Sequence, residues 1–439
     1  MPAYVTQDLH SAFQLERSTG LICILTVGNC MFPDQRDPQR GEFAGRDVTT
    51  DRRALYFVGA GFSRALKKGR NVPPLLFDFI RLMADEIDDD VIAVALAGMY
   101  RDKLLTVAIP AISEETVDAL ADGPTEKRTA ARRTEFANGI RSVAQPDVES
   151  LLAMALAKST FTHQRFRFAI ARLFQRMSWD LRLGCLRRLI RARAKLESMR
   201  HTVVSFNYDL ILEHLLEEEL GWVGASGYGV PMPFGVQVTE FDHYAATVRA
   251  VVSGAAPRLD AVALAAPAEG PPWMVLKPHG SLNWLRRSAL GGENERVLLV
   301  DASSRVAYPL EDSFMNVWIP GRPPGGFNIQ IIAPEAGKVG LTDILALEKD
   351  ALEKADEVWV LGWSVPITDL DQRSLIQQAV KNRTRPIDHL VVVNLKEPDS
   401  YFENVAHLFG VSPSAVERYN RGFLCFCRLC LLKQLAGVA

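Results

Sequence analysis

Five short apolar runs in this 439-residue chain each stop at a small or polar group, and helix-compatible stretches lie between them. The run ending at Val58 gives way to Gly59-Ala60-Gly61-Phe62-Ser63, and the run ending at Phe206 to Asn207-Tyr208-Asp209. The run ending at Lys277 gives way to Pro278-His279-Gly280-Ser281, the one ending at Leu361 to Gly362-Trp363-Ser364, and the one ending at Val393 to Asn394. Short apolar runs closed by glycine or polar residues read as buried strands. Apolar residues at three- and four-residue spacing between them read as amphipathic helices. Alternation of the two without hairpin signals demands a parallel sheet, because each parallel crossover consumes a dozen or more residues.

The expected class is therefore α/β: a Rossmann-like doubly wound parallel sheet, with helices on both faces and the five polar tips on one edge, where ligands of such folds bind. Two regions interrupt it. Residues about 75–200 read as helical, from "LLFDFIRLMADEI" to "FRFAIARLFQRMSWDLRLGCLRRLIRARAKL", and are expected to form a large helical insert. Residues about 221–270 are rich in Gly, Pro and Ala and read as loops over the sheet. "NIQIIAP" reads as one more strand of the sheet. Residues 1–50 read as a leader or contact arm, 51–400 as the main domain, and 401–439 as a C-terminal helical tail.

Composition bounds what the domain does. A hydrophobic share of 48% permits a large core, and a net charge of -2 excludes a polycation built for nucleic acid. Six cysteines in so long a chain do not make a disulfide framework. No apolar run reaches the roughly 18–20 residues of a membrane span. The N-terminal apolar piece is short and sits behind Asp8, Glu16 and Arg17, so a cytoplasmic protein without a signal peptide or membrane association is expected.

The glycine turn by itself has two readings. Gly59 and Gly61 allow close backbone approach, and Ser63 offers a hydroxyl at a helix start, which suits a phosphate. A tight turn packed in the core explains the same residues. It is not the dinucleotide fingerprint, since Arg64 stands where the third glycine belongs and no acidic residue closes a second strand. His279 is either a satisfied structural histidine or a general base, which suits its titration near neutrality. Asn207 suits a turn, and Asp209 suits a cap for "LILEHLL", roles compatible with ligand binding.

Taken in order, GAGFS, "SFNYD", "KPHGSLNW" and "LGWSVPITD" resemble the sirtuin-like superfamily, closest to its bacterial stand-alone branch, over residues 54 to about 395. The chain departs from the protein-deacylating members. It has no pair of CxxC motifs, and Cys425, Cys427 and Cys430 sit in an apolar helix-like stretch as core thiols, so no metal is expected. "GRNVPPLLFDF" stands where the deacylases carry their segment after the glycine loop, leaving an acyl-lysine groove without support. The resemblance implies an NAD+ hydrolase that depletes NAD in antiphage defence. A deacylase, an ADP-ribosyl transferase and a non-catalytic NAD or ADP-ribose sensor are the alternatives.

Under this resemblance Gly59, Ala60, Gly61, Phe62 and Ser63 hold the pyrophosphate and cover the ribose. Asn207 bonds the ribose hydroxyls or positions the attacking water, His279 accepts a proton from a ribose hydroxyl or from that water, and Asp209 orients the site or holds the nicotinamide amide. Gly362 and Ser364 line the phosphate side and Asn394 the adenosine ribose. It also implies a homo-oligomer and allows a separately encoded HerA-type ATPase, with nucleic acid acting only as an activator. The ten arginines and one lysine of residues 165–200 read as a helix face that neutralises acidic surface elsewhere, with a docking face as the alternative.

Overall fold

The computed structural model describes residues 52–66, 75, 78–105, 112–123, 125–176, 182–196, 199–229, 234–238, 259–263, 273–287, 297–299, 327–331, 342–366 and 369–435. The expected leader over 1–50, with Cys23 and Cys30, lies outside them.

Strands follow in the order β1 (Arg52–Val58), β2 (Met199–Ser205), β3 (Phe234–Val238), β4 (Leu259–Ala263), β5 (Trp273–Leu276), β6 (Gly280–Arg287), β7 (Val297–Leu299), β8 (Phe327–Ile331), β9 (Glu357–Leu361), β10 (His389–Val393) and β11 (Val416–Tyr419). Six of them make one sheet in the order β11-β10-β9-β1-β2-β5, every pair parallel. Counted among themselves in chain order, these strands read 3-2-1-4-5-6 across the sheet from its β5 edge, the doubly wound arrangement. The chain leaves β1 in one direction for β2 and returns to its other side at β9. The switch point thus falls between β1 and β9, where Phe57 pairs with Val360 and Val58 with Leu361. Both strands are buried throughout their shared length, and apolar there apart from Glu357 at the start of β9, because helices cover both faces.

Three elements differ from the sequence reading. "NIQIIAP" supplies β8, which lies in a second, five-stranded sheet in the order β4-β3-β7-β6-β8 and pairs antiparallel with β6. A short apolar run does not say which sheet will take it. The region read as loops contributes the antiparallel pair β3 and β4. The tail over 401–439 is also no appendage. Its β11 closes one edge of the parallel sheet, and Phe402, Phe409, Phe423 and Phe426 are buried in the main core.

Between β1 and β2 the described residues form helices from Phe79–Asp85 to Gly184–Ala194. Those from 79 to 174 pack around their own core, which includes Phe136, Phe166 and Ile92. Sequence caps set several of their starts. Asp89 accepts the Val91 and Ile92 amides, and Asp147 accepts that of Ser150. Tyr208 and Leu282 belong to this second core, so it is pinned on the segments that follow β2 and β5. Among the described residues no helix is long and apolar enough to cross a membrane.

Candidate functional site

At the C-terminal ends of β1 and β9 lies a cavity of about 580 Å³. Gly59, Ala60, Gly61, His279, Gly362, Ser364 and Asn394 line it, so tips of four of the five apolar runs meet on one wall. Phe206 and Trp363 lie in the same wall with their rings stacked 4.5 Å apart.

Backbone contact, before any ligand, explains the glycines. The Gly59 amide donates to Leu361 and the Gly61 amide to the Gly362 carbonyl. A Cβ on Gly59 would stand 2.5 Å from the Trp363 Cα, and one on Gly362, whose φ is +60°, would stand 2.2 Å from the Phe62 amide nitrogen. The two loops touch main chain to main chain, which only glycine permits. Val365, at φ 51°, is a β-branched residue in the left-handed region three positions later, a strain that functional loops carry more often than others.

Four expected site residues lie behind the wall. Phe62 is buried against Phe423, with ring centroids 4.6 Å apart. Ser63 is buried and spent inside the protein. Its Oγ donates to Asp209 Oδ2 at 2.8 Å and accepts from Asn207 Nδ2 at 2.9 Å. The Ser63 hydroxyl therefore braces the site; it does not face a phosphate. Asn207 Nδ2 also donates to the Gly59 carbonyl at 3.1 Å, tying the polar tip of β2 to the glycine turn. Its Oδ1 is buried without a hydrogen-bond partner. Asp209 also accepts the Ile211 amide at the start of helix Ile211–Leu220, from the position before the N-cap Leu210. Burial raises the Asp209 carboxyl to about 6, with Lys277 and Ser63 opposing the rise.

A second tier of polar groups lies deeper. Lys277 Nζ donates to the Asp209 carbonyl and to Glu213 Oε1, both at 2.7 Å, with lysine and glutamate almost wholly buried. Tyr228 donates to Glu213 at 3.3 Å and bonds Asn283, which accepts from Ser281 at 2.7 Å. The "KPHGSLNW" stretch thus supplies both a cavity residue and the scaffold beneath it.

His279 has partners that the sequence did not suggest. Its Nδ1 lies 3.2 Å from Glu149 Oε1, and its Nε2 lies 3.3 Å from Asp369 Oδ2. These are ion-pair distances whose angles fall short of hydrogen-bond alignment. Burial alone would push the imidazole's pKa down; the two carboxylates outweigh it and hold the ring up at about 9. The two carboxylates thus favour the charged ring at neutral pH. The sequence reading of His279 as a proton acceptor did not foresee that two acids from distant elements close on the ring. Glu149 comes from helix Val148–Lys158 and lines the cavity, and Asp369 is the N-cap of helix Leu370–Asn382. The "LGWSVPITD" motif contained Asp369; no local signal marked Glu149.

The basic stretch spends many charges internally. Arg172 pairs with Asp89 at 2.6 Å, Arg187 with Glu218 at 2.6 Å, Arg191 with Glu219 and Arg193 with Glu357 at 2.7 Å. Cys427 is buried in the main core on helix Phe423–Leu435, beside the half-buried Cys425; the Cys430 side chain lies outside the described residues.

No family model matches the chain, and no curated protein matches it.

Proposed function

We propose that this protein is a sirtuin-like NAD+ hydrolase that cleaves the nicotinamide–ribose bond, acting in the cytoplasm as an NAD-depleting effector of bacterial antiphage defence. The observation that carries the reading is the cavity at the sheet's switch point. A glycine turn, an aromatic pair and a histidine flanked by two acids meet there, in a volume within the roughly 300–1,000 Å³ of small-molecule sites. Each of the four ordered motifs that resemble the sirtuin-like superfamily contributes to its wall. NAD+ would place its nicotinamide end toward Phe206, Trp363 and His279, and its adenosine end toward Asn394. Gly59, Ala60, Gly61, Gly362 and Ser364 would approach the phosphates. Departure of nicotinamide leaves an oxocarbenium-like ribose, as in other glycoside cleavage. Asn207 would hold the glycine turn in register, and its buried Oδ1 is left to meet a ribose hydroxyl or water. Asp209 would fix Ser63 and the start of its helix. A homo-oligomer, a HerA-type ATPase partner and nucleic acid as activator belong to the same reading.

One observation favours a second reading. Asn207 and Ser63 are spent on each other and His279 is clamped on both nitrogens, as they would be in a sensor that binds NAD or ADP-ribose without turnover. Incubation of the purified chain with NAD+ separates the two, alone and with DNA or lysate of phage-infected cells, followed by chromatography of nicotinamide and ADP-ribose. Cleavage is expected, and its loss in His279→Ala and Asn207→Ala. Full cleavage by both variants overturns the site. Tight NAD+ binding without product under every condition favours the sensor.

A further inference from the structure

Hydrolysis of NAD+ releases a proton, and a histidine and a carboxylate in contact with each other line the cavity where it is shed. Water forms its bond to C1′ of the ribose, the C1′–N1 electron pair returns to the pyridine ring, and nicotinamide leaves neutral. Some group must accept the proton that the water sheds. His279 lies between two acids that favour its charged form, and Asp209 is occupied by Ser63 and the Ile211 amide behind the wall. Asp369 caps its own helix and does not line the cavity. Glu149 is the carboxylate that both lines the cavity and touches His279.

We propose that Glu149 is a further catalytic residue, the acceptor of the proton shed by the attacking water, with His279 holding its carboxylate in place. The proposal rests on the NAD+ hydrolase reading. The geometry carries it in three ways. Glu149 sits at the second position of helix Val148–Lys158 and is buried at 7% exposure, unusual for a first-turn acid. Its Oε1 is turned to the His279 ring at 3.2 Å, and a carboxylate still offers acceptor capacity on its two oxygens. Phe206 and Trp363 bound the same side of the cavity, a flat apolar wall for the leaving ring. The pair then works as a unit. The imidazolium fixes the carboxylate and balances its charge, and the carboxylate takes up the proton and passes it to solvent once nicotinamide has gone. Asp369, on the far side of the ring, keeps His279 charged throughout.

The groups that face His279 are Glu149 from helix Val148–Lys158 and Asp369 from the cap of Leu370–Asn382, with Phe206 packed on the ring 5.2 Å away. Tyr208, Asp147 and Arg167 share the field of these acids. If His279 were the base, turnover would climb as pH rises through about 9 and the ring sheds its proton. With Glu149 as the acceptor, turnover needs the imidazolium and declines through the same interval.

The test measures nicotinamide release and NAD+ affinity for the full-length protein and for Glu149→Gln, from pH 6 to 10, under whichever condition activates the wild type. The expected result is a loss of roughly 10²- to 10⁴-fold in kcat with affinity nearly unchanged, and a wild-type rate that declines above pH 9. Wild-type turnover by Glu149→Gln, or a wild-type rate that climbs through pH 9, overturns the proposal alone. NAD+ that binds but yields no nicotinamide from the wild type under every condition overturns the hydrolase reading, and the proposal with it. Glu149→Asp, which keeps the charge and shortens the reach, covers the case in which the glutamine variant fails to fold. Folded by circular dichroism and slowed at unchanged affinity, it supports the proposal; folded and fully active, it counts against it.

Discussion

The parallel sheet holds a buried histidine at each end, and the two are driven in opposite directions. His279 lies beyond the C-terminal end of β5, between Glu149 and Asp369, and is held up at about 9. His201 lies at the N-terminal end of β2, stacked on Trp273 with centroids 4.2 Å apart and bonded through Nδ1 to the Tyr56 hydroxyl at 3.1 Å. Burial and the Arg193 guanidinium push His201 down to about 4. Burial disfavours the charged ring in both places, so the sign is decided by the partners: acids at one end, an arginine at the other. The N-terminal end has a structural economy of its own. Arg193 donates to Tyr56 at 2.9 Å and to Glu357 at 2.7 Å, and its guanidinium lies 5.0 Å from the Trp359 ring centroid. This end sets its polar groups among aromatic rings, whereas the other end leaves a histidine and a carboxylate on a cavity wall.

The largest way to break the comparison is at the C-terminal end. Lys277→Met leaves the Glu213 carboxylate buried without its cation, at an expected cost of about 3–5 kcal/mol by urea unfolding. Lys277→Met with Glu213→Leu should recover much of that loss, because an apolar pair replaces an ionic one. A single loss near zero would mean that the buried pair braces nothing. At the other end Glu357 keeps Arg52 at 3.0 Å, so Arg193→Met should cost less, about 1–3 kcal/mol.

The two histidines also predict the shape of stability against pH. His279 holds a proton in the fold at pH values where the unfolded imidazole, near 6.5, has lost it. Its stabilisation is complete below about 6.5 and is lost as pH rises through about 9. His201 excludes a proton that the unfolded chain takes up, so its contribution is complete above about 6.5 and is lost as pH falls toward 4. These two terms should therefore trace a dome in the thermal midpoint with its top near pH 6.5. His279→Asn should flatten the alkaline limb and His201→Asn part of the acid limb. His163, lowered to about 4 by burial and by Arg167, carries another part of the acid limb. An alkaline limb unchanged in His279→Asn would show that the ring is not ionised in the fold.

Much of this was readable from the residues. An apolar run stopped by glycine or a polar group marks a strand and its tip together, so the parallel sheet and the cavity-lining residues Gly59, Gly61, His279, Gly362, Ser364 and Asn394 were legible. What escaped was convergence. Glu149 reads as an acidic residue in the first turn of a helix and Asp369 as an N-cap, each complete as a local explanation. Only the packing of two distant helix starts around one ring makes them a pair. The same limit misplaced Ser63, whose position at a helix start fits a phosphate and a buried brace equally well. The sheet that takes β8, and β11 altogether, escaped for a different reason, since four or five residues state a strand without stating its neighbours.

The smallest expected effect lies within one helix. Gly184–Ala194 carries Arg187 at 40% side-chain exposure, paired with Glu218 at 38%, and Arg193 at 12%, paired with Glu357 at 9%. In water two exposed charges gain little and lose side-chain freedom, and salt screens what remains. Arg187→Ala should therefore move stability by less than about 1 kcal/mol, and by less still at 1 M salt. If Arg187→Ala cost as much as Arg193→Met, the exposed pairs of this basic stretch would be structural. If it left stability alone but weakened retention on a DNA column, the arginines would be serving a partner, and their internal pairing would be the resting state of a docking face.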